Sequence, residues 1–310
     1  MKVYKVPIEK INTTNTKYIF SYPLMPDRMV ESVKNAGILQ PILVEKQKDE
    51  YFVLDGIRRV LAAKKLGIEN IYIQEYEGPD SIFDKIKTVI YANMSHRAFN
   101  EVEKAVIMSK TAGNSGLLQI VLNILGISQN IILIDKYKRL ANEENSIKML
   151  VYEGRLKLNS VYDLTFFNYA DKSQIVLLTQ ELQCSASIAQ EIIENSKDII
   201  LGSDNEENTF EELAHAVGVN EIFGNDSLNV SEKLGVLRDR IRKKRYPGLS
   251  RKEEEFNKFS KSLNCINGVS CGHTPFFENE SKELKISYNN YHELNQKIEQ
   301  VRKKIENEEY

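Results

Sequence analysis

The segment that most constrains the fold is YFVLDGIRRVLAAKKLG, residues 51–67. An apolar run ends at Asp55 and Gly56. A basic, alanine-rich pattern with helical spacing follows at once and stops at Gly67. A strand that enters a helix through glycine brings backbone amides and the positive end of the helix dipole to one point, where anions bind well. The sequence therefore predicts a strand, a glycine turn and a helix in direct succession.

Two arginines stand in the first turn of this predicted helix. Arg58 and Arg59 are cations where the helix dipole disfavours positive charge, so a bound anion is one reason for their presence. Asp55 can instead act as the N-cap and occupy some of the same amides. The segment by itself is compatible with a phosphate-binding turn and with a capped surface helix that carries two solvated arginines.

Upstream of this turn, residues 30–44 read VESVKNAGILQPILV. The spacing predicts an amphipathic helix that ends at Gly37 and a strand that begins at Pro41. Gln40 lies at the entry to this strand, where a side-chain amide can read a base or a ribose.

Downstream, residues 92–105 read ANMSHRAFNEVEKA and predict a polar loop that opens a new helix. Asn100 is the expected N-cap of that helix. Glu103 stands at its third position, which is the arrangement of a capping box.

These three segments resemble, in the same order, the N-terminal domain of the ParB family of DNA-partition proteins. The family patterns are G-x-x-Q-P, G-E-R-R and E-N-L-Q-R-x-x-L-N-P-x-E-x-A, and the chain supplies GILQPI, DGIRR and NMSHRAFNEVEKA. The resemblance covers about residues 3–165 and implies a ParB/sulfiredoxin-like mixed α/β domain. Sulfiredoxin chemistry needs a cysteine beside the arginine, and no cysteine precedes Cys184, so that activity is excluded.

The resemblance also implies a nucleotide site, because ParB N-terminal domains bind CTP with magnesium and nucleotide binding closes a DNA clamp. We therefore expect CTP or another nucleoside triphosphate, with Mg²⁺, as ligand. In this interpretation Gln40 approaches the base, and Gly56, Arg58 and Arg59 hold the phosphates. Asn93 lies beside the metal, and His96 stands where the family has an arginine.

Two residues depart from the family pattern, and the second departure concerns the metal. Ile57 replaces the glutamate of G-E-R-R, and Ala92 replaces the glutamate that helps to hold the ion. Alanine offers no oxygen ligand, so Asp55 is the residue expected to take over this role. Hydrolysis is accordingly expected to be slow at most.

Residues 117–140 have the spacing of a helix-turn-helix. Gly126 is expected to make the turn and Ser128 to cap the second helix. The ParB family has such a unit here, with arginine where this chain has Gln129. The expected DNA contacts are Ser128, Gln129, Asn130 and Lys136. Glutamine and asparagine can bind adenine in the major groove, and the alternative is a helical hairpin packed in a core.

Composition limits the class of protein. The 42 basic and 44 acidic residues give a net charge of −2, so DNA binding would have to use local patches. Three cysteines argue against a disulfide framework. No long apolar run is present, and we expect a cytoplasmic, nucleoid-associated protein without membrane contact.

Two further clusters leave alternatives open. Residues 238–252 hold the densest group of arginines and lysines, which predicts either a nucleic-acid surface or a solvated helix face neutralised by the glutamates that follow. Cys265, Cys271 and His273 suggest either a metal site or an ordinary loop, because their spacing is not that of a standard zinc pair.

The predicted fold class is α+β. Residues 1–110 would form the nucleotide-binding domain, 111–202 a helical DNA-binding domain, and 209–310 a small α/β domain of unknown role, with a polar linker at 203–208. We expect a ParB-like, nucleotide-responsive DNA-binding protein that acts in chromosome or plasmid segregation or in nucleoid or transcription control. Its expected partners are DNA, a second copy of the chain and a partition ATPase. The alternatives are a kinase or nuclease on the same fold, with Asp55 and Glu31 as candidate carboxylates, and an interaction module that has lost nucleotide binding.

Overall fold

The computed structural model describes residues 2–202, 208–277, 279 and 281–306. The chain divides into two compact units, Met1–Glu194 and Asn195–Tyr310. The linker expected at 203–208 lies outside the described residues except for its last position. The finer division into three domains stays a prediction.

The first unit opens with a five-stranded mixed sheet in the order β1-β5-β3-β4-β2. β3 pairs antiparallel with β4 and parallel with β5, whereas β1 closes the sheet antiparallel to β5. The strands are β1 (Val3–Pro7), β2 (Ile11–Asn12), β3 (Ile42–Gln47), β4 (Glu50–Asp55) and β5 (Asn70–Glu75). A parallel neighbour requires a crossover, which the chain makes after β4 through a helix.

Two helices, α1 (Asp27–Ala36) and α2 (Ile57–Lys65), accompany this sheet. Alternate residues of the strands point into one core, where Val44 and Ile73 have no exposed surface. Val60 of α2 is equally buried in the same core. This packing fixes α2 against the sheet and thereby fixes the turn that leads into it.

The strand–glycine–helix turn is confirmed, with one correction. β4 ends at Asp55, Gly56 has φ +96°, and α2 follows immediately. Gly56 itself occupies the N-cap position, and no side chain caps the helix. The alternative of Asp55 as N-cap is therefore wrong, because the left-handed glycine turns the chain after Asp55 and the carboxylate bonds to other partners.

The rest of the first unit is helical. Its helices are α3 (Ile82–Met94), α4 (Glu101–Thr111), α5 (Ser115–Ile124), α6 (Ile131–Asn142), α7 (Asn145–Tyr152), α8 (Leu158–Leu164) and α9 (Tyr169–Glu181), and α10 (Ala186–Leu201) follows. The expected capping box of Asn100 and Glu103 opens α4. Ala92 and Asn93, expected in a loop, belong to the last turn of α3, since Ile86, Val89 and Ile90 continue its buried face.

The second helix of the predicted helix-turn-helix begins later than expected. Gly126 has φ +65° and makes the turn between α5 and α6. Asn130, and not Ser128, is the N-cap of α6. Its side chain accepts hydrogen bonds from the amides of Ile132 and Leu133. The assignment of Ser128 as the cap is wrong, because Ser128 lies two residues ahead of the cap position.

The second unit contains helices and a two-stranded antiparallel sheet. Its elements are α11 (Phe210–Ala216), α12 (Val219–Gly224), α13 (Val230–Arg245), α14 (Pro247–Asn264), β6 (Val269–His273), β7 (Lys282–Ile286) and α15 (Tyr291–Glu306). The α+β class is thus confirmed. Among the residues with described placement, no helix is both long and apolar enough to cross a membrane.

Candidate functional site

A cleft of about 280 Å³ lies at the turn between β4 and α2. All the residues expected to bind a nucleotide line it, together with Asp55, the expected metal ligand. The predicted members are Gln40, Asp55, Gly56, Arg58, Arg59, Asn93 and His96. Ser21, Met29, Ile57, Ala92 and Arg97 complete the lining. Three segments that are far apart in the sequence therefore meet at one place.

Gly56 allows the close approach on which this turn depends. Its φ of +96° is strained for any residue with a side chain. A Cβ atom here would lie 2.8 Å from Nη2 of Arg59 and 3.0 Å from Cδ1 of Ile42. No side chain caps α2, and within its first turn the amide of Arg59 donates to the carbonyl oxygen of Gly56 at 2.9 Å.

Arg59 is held by backbone oxygens and one carboxylate. Its Nη1 donates to the carbonyl oxygen of Gln40 at 2.7 Å, and its Nη2 donates to Oδ2 of Asp55 at 3.1 Å. Burial lowers the pKa of the guanidinium, and the charge of Asp55 opposes this shift. The guanidinium is thus a fixed cation at the strand-to-helix turn, with a carboxylate beside it.

Arg58 connects the cleft with α4. Its Nε donates to the carbonyl oxygen of Pro23 at 2.9 Å, and its Nη2 donates to the carbonyl oxygen of Tyr22 at 2.7 Å. The same Nη2 lies 3.0 Å from Oε1 of Glu103. Burial lowers the pKa of Arg58, while the charge of Glu103 raises it.

Glu103 is the centre of this network and was anticipated only as part of a capping box. Its side chain is fully buried. It accepts hydrogen bonds from the backbone amides of Tyr22 at 3.0 Å and Asn100 at 3.2 Å, and it pairs with Arg58 and with Arg97. A buried carboxylate needs such a complete set of donors. The capping-box spacing places this carboxylate, but only the fold brings the two arginines to it.

Asp55 and Asn93 form the oxygen-rich side of the cleft. Nδ2 of Asn93 donates to Oδ1 of Asp55 at 2.9 Å, so both carboxylate oxygens of Asp55 have a partner. Within the described residues, no three His, Cys, Asp or Glu side chains come together as a metal site. Magnesium bound to phosphates needs only one or two protein carboxylates. The side-chain oxygens of Asp55 and Asn93 fit that smaller requirement.

Arg97 is the charged residue among the lining residues that sequence reasoning missed. His96, expected at the position of the family's arginine, lines the cleft and is exposed. The adjacent Arg97 also lines it, pairs with Glu103, and places its guanidinium 5.1 Å from the ring centroid of Phe99. An arginine one position after the expected one was the available signal.

The expected DNA contacts lie around the start of α6. Ser128, Gln129 and Asn130 are exposed, and Nε2 of Gln129 lies 3.4 Å from Oδ1 of Asn123. Lys136 lies further along α6, where its Nζ donates to Oδ1 of Asn159 at 2.7 Å. The first three therefore form one exposed polar edge, and Lys136 is tied to α8.

The basic cluster of α13 and α14 is largely paired. Guanidinium groups of α13 bond to carboxylates on three other helices, and Lys243 pairs with Glu254 at 3.1 Å. The pairs are Arg240 with Glu221, Arg242 with Glu253, and Arg245 with Asp198. In the described part of the second unit, Cys265, Cys271 and His273 do not form part of a metal-binding group.

A family model of the ParB N-terminal domain matches residues 1–82. The chain is 26% identical over 181 residues to a probable chromosome-partitioning protein ParB of Borreliella burgdorferi, a match that covers 58% of this chain and 68% of that protein. It is 28% identical over 120 residues to a nucleoid occlusion protein of Halalkalibacterium halodurans, covering 38% of this chain and 41% of that protein. The predicted resemblance to the ParB family is confirmed.

Among solved structures, a C-terminally truncated chromosome-partitioning protein ParB from Caulobacter crescentus, complexed to the centromeric parS site, is similar at 20% identity. The match covers 62% of this chain and 98% of that chain, with a TM-score of 0.34.

Proposed function

Because residues 1–82 match the ParB N-terminal domain, we propose that the chain is a ParB-type DNA-binding protein that responds to a nucleoside triphosphate, with CTP as the first candidate. One observation carries the nucleotide site: Gln40, the turn at Gly56 and the end of α3 line a single cleft. Chromosome or plasmid segregation, or nucleoid or transcription control, in the cytoplasm is the setting that fits the relatives.

The phosphates would lie at the start of α2. Amides of its first turn and the positive helix end favour negative charge there. Arg59 reaches the same point, where its Nη2 would exchange Asp55 for a phosphate oxygen in a charge-assisted hydrogen bond. Gln40, which is exposed at the rim, would approach the base. Arg58, expected to hold a phosphate, would instead stay bonded to the Tyr22 carbonyl and orient the turn.

Asp55 and Asn93 would hold a magnesium ion, which supplies positive charge next to the phosphates. When Arg59 turns to the phosphates, Asp55 loses one of its two partners and becomes available. Ala92 provides no further oxygen, so we expect turnover, if any occurs, to be slow.

The helices α5 and α6 would contact DNA. Ser128, Gln129 and Asn130 form the exposed edge at the start of α6, and Lys136 follows on the same helix. A second copy of the chain and a partition ATPase are the further partners in this proposal.

Isothermal titration of the full chain with CTP, ATP and ADP, with and without Mg²⁺, tests the nucleotide site. We expect heat with a triphosphate and a loss of at least about 1.5 kcal/mol of binding free energy in Arg59→Ala, as for a charge-assisted hydrogen bond. Lys65→Ala removes a positive charge from the exposed far end of the same helix and should bind normally. Equal losses in both variants would contradict the cleft as the site.

One observation favours the alternative of an interaction module without nucleotide. Arg58 and Arg59 already bond to protein oxygens, so the cleft satisfies its own cations. An unmodified chain that gives no heat with any of the three nucleotides would favour this alternative. The kinase alternative loses one of its two carboxylates, since Glu31 does not line the cleft.

A further inference from the structure

Two isoleucines are exposed in the first turn of α6. Ile131 exposes 82% of its surface and Ile132 exposes 60%. Single exposed apolar residues are common on protein surfaces. Here two exposed isoleucines stand in succession at the N-terminus of α6, directly after Gln129 and Asn130, so that apolar and amide groups lie side by side.

This region carries no charge. Residues 115–134, which include α5, the turn and the start of α6, contain no Asp, Glu, Lys, Arg or His. Positive charge begins further along α6, where Lys136, Lys138 and Arg139 outnumber Asp135. An uncharged first turn followed by basic residues suits a recognition helix. Its first turn would contact base edges in the major groove, and its later residues would lie near phosphates.

The hydrogen bonds of the helix cap decide which of the two neighbouring side-chain amides, Gln129 or Asn130, can bind a base. Oδ1 of Asn130 accepts from the amides of Ile132 at 2.8 Å and Leu133 at 3.2 Å. A bidentate contact with adenine needs both ends of the amide, so the cap removes Asn130 from that role. Gln129 is exposed and donates one long bond of 3.4 Å to Asn123, which a base edge can replace.

We propose that Ile131, with Ile132 beside it, packs against 5-methyl groups of thymine in the major groove while Gln129 binds adenine, so that α6 selects A·T base pairs. This inference rests on the proposed contact of α5 and α6 with DNA. The two available side-chain types agree: an amide suits the N6 and N7 edge of adenine, and an apolar side chain suits the methyl group that distinguishes thymine.

A protein partner fits the exposed start of α6 less well. A stable protein interface needs roughly 800 Å² from each side. Two isoleucines surrounded by Ser128, Gln129 and Asn130 offer far less apolar surface than that. The separate thymine methyl groups in the major groove of DNA can be contacted by apolar surfaces of this small size.

The test begins with selection of duplexes from a pool with a randomised core, using the full chain at low salt. Fluorescence anisotropy then measures binding to the enriched duplex and to copies in which one thymine at a time is replaced by uracil, which lacks the methyl group. We expect about a fourfold loss of affinity at one or two thymines, the size expected for one buried methyl group. Ile131→Ala should bind thymine and uracil duplexes equally at one of those positions.

Ile82→Ala is the matched control, because Ile82 is a half-exposed isoleucine in the first turn of α3. It should keep the full preference for thymine. Enriched duplexes that bind equally well with uracil at every position would overturn the reading of methyl groups and leave DNA binding intact. Ile131→Ala that keeps the thymine preference but alters sedimentation of the chain would identify a protein-docking surface instead. Failure to bind any duplex would overturn the proposed DNA contact, and with it this inference.

Discussion

At the scale of single residues, Glu103 connects the elements beside the cleft. It is a carboxylate with no exposed surface, and it faces Arg58 at 3.0 Å as well as Arg97. Arg58 in turn donates a hydrogen bond to the carbonyl oxygen of Tyr22, which lies in the segment before α1. The network therefore joins α2, α4 and the segment before α1 through one side chain.

Removal of this carboxylate should be costly. We expect Glu103→Ala to lower the free energy of unfolding of the first unit by about 3–5 kcal/mol, because two guanidinium groups lose a buried partner. Asp84→Ala is the control, since Asp84 occupies the same position in α3 but its carboxylate accepts a hydrogen bond from exposed Ser81. Urea unfolding followed by circular dichroism compares the two variants. A loss below about 1 kcal/mol in Glu103→Ala would show that the arginines find other partners.

Gly56 offers a second test at this scale, because α2 is flanked by two left-handed glycines. Gly56 has φ +96° and Gly67 has φ +70°. A Cβ atom at Gly56 would meet Arg59 at 2.8 Å, whereas one at Gly67 would have nothing within 4 Å. Alanine at either position should cost about 1 kcal/mol of stability through the backbone.

Only Gly56→Ala should also weaken nucleotide binding, since it displaces the guanidinium of Arg59. Titration calorimetry of both variants with CTP and Mg²⁺ measures this difference. Equal affinities in Gly56→Ala and Gly67→Ala would mean that the position of Arg59 has no part in binding.

At the scale of secondary structure, the start of α6 is defined by a side chain. Asn130 accepts two amide hydrogen bonds and so stabilises the first turn of a helix whose exposed end carries two isoleucines. The neighbouring Gln129 makes no cap and is exposed. The two adjacent amides thus have different tasks.

We expect Asn130→Ala to destabilise the first unit by about 1 kcal/mol, the usual value of an N-cap, and Asn130→Asp to restore most of that loss. Gln129→Ala should leave stability unchanged because its side chain lies in solvent. Thermal unfolding followed by circular dichroism separates these effects. Equal stability of the Asn130→Ala and Gln129→Ala variants would contradict the assigned cap.

At the scale of the whole molecule, the chain forms two compact units, and a described apolar core cluster lies within each of them. Ile73 of β5 is fully buried in the core cluster of the first unit, and Leu263 of α14 is fully buried in that of the second. Each is a large side chain whose truncation leaves a cavity in its own core.

Differential scanning calorimetry should therefore show two transitions. Ile73→Ala and Leu263→Ala should each lower one of them, by an amount corresponding to about 2–5 kcal/mol, and leave the other in place. A single transition that both variants lower equally would show that the units unfold together.

The sequence determined the elements that depend on neighbouring residues. The strand, the glycine turn and the start of α2 follow from apolar runs and a residue that tolerates positive φ, and the capping box of α4 follows from a spacing of three. These features are local, so each can be predicted from a short segment. The resemblance to the ParB family added which of these segments should meet.

Only the tertiary structure decided what the polar side chains bond to. Asp55 bonds to Arg59 and Asn93 rather than to the amides of α2. The partners of Glu103 include two arginines, and Arg97 lies at the cleft beside His96. These contacts join residues from different elements, and a hydrogen bond forms or fails over less than 1 Å. Residue patterns along the chain do not specify distances of that size; the packing of α2, α3 and α4 on the sheet does.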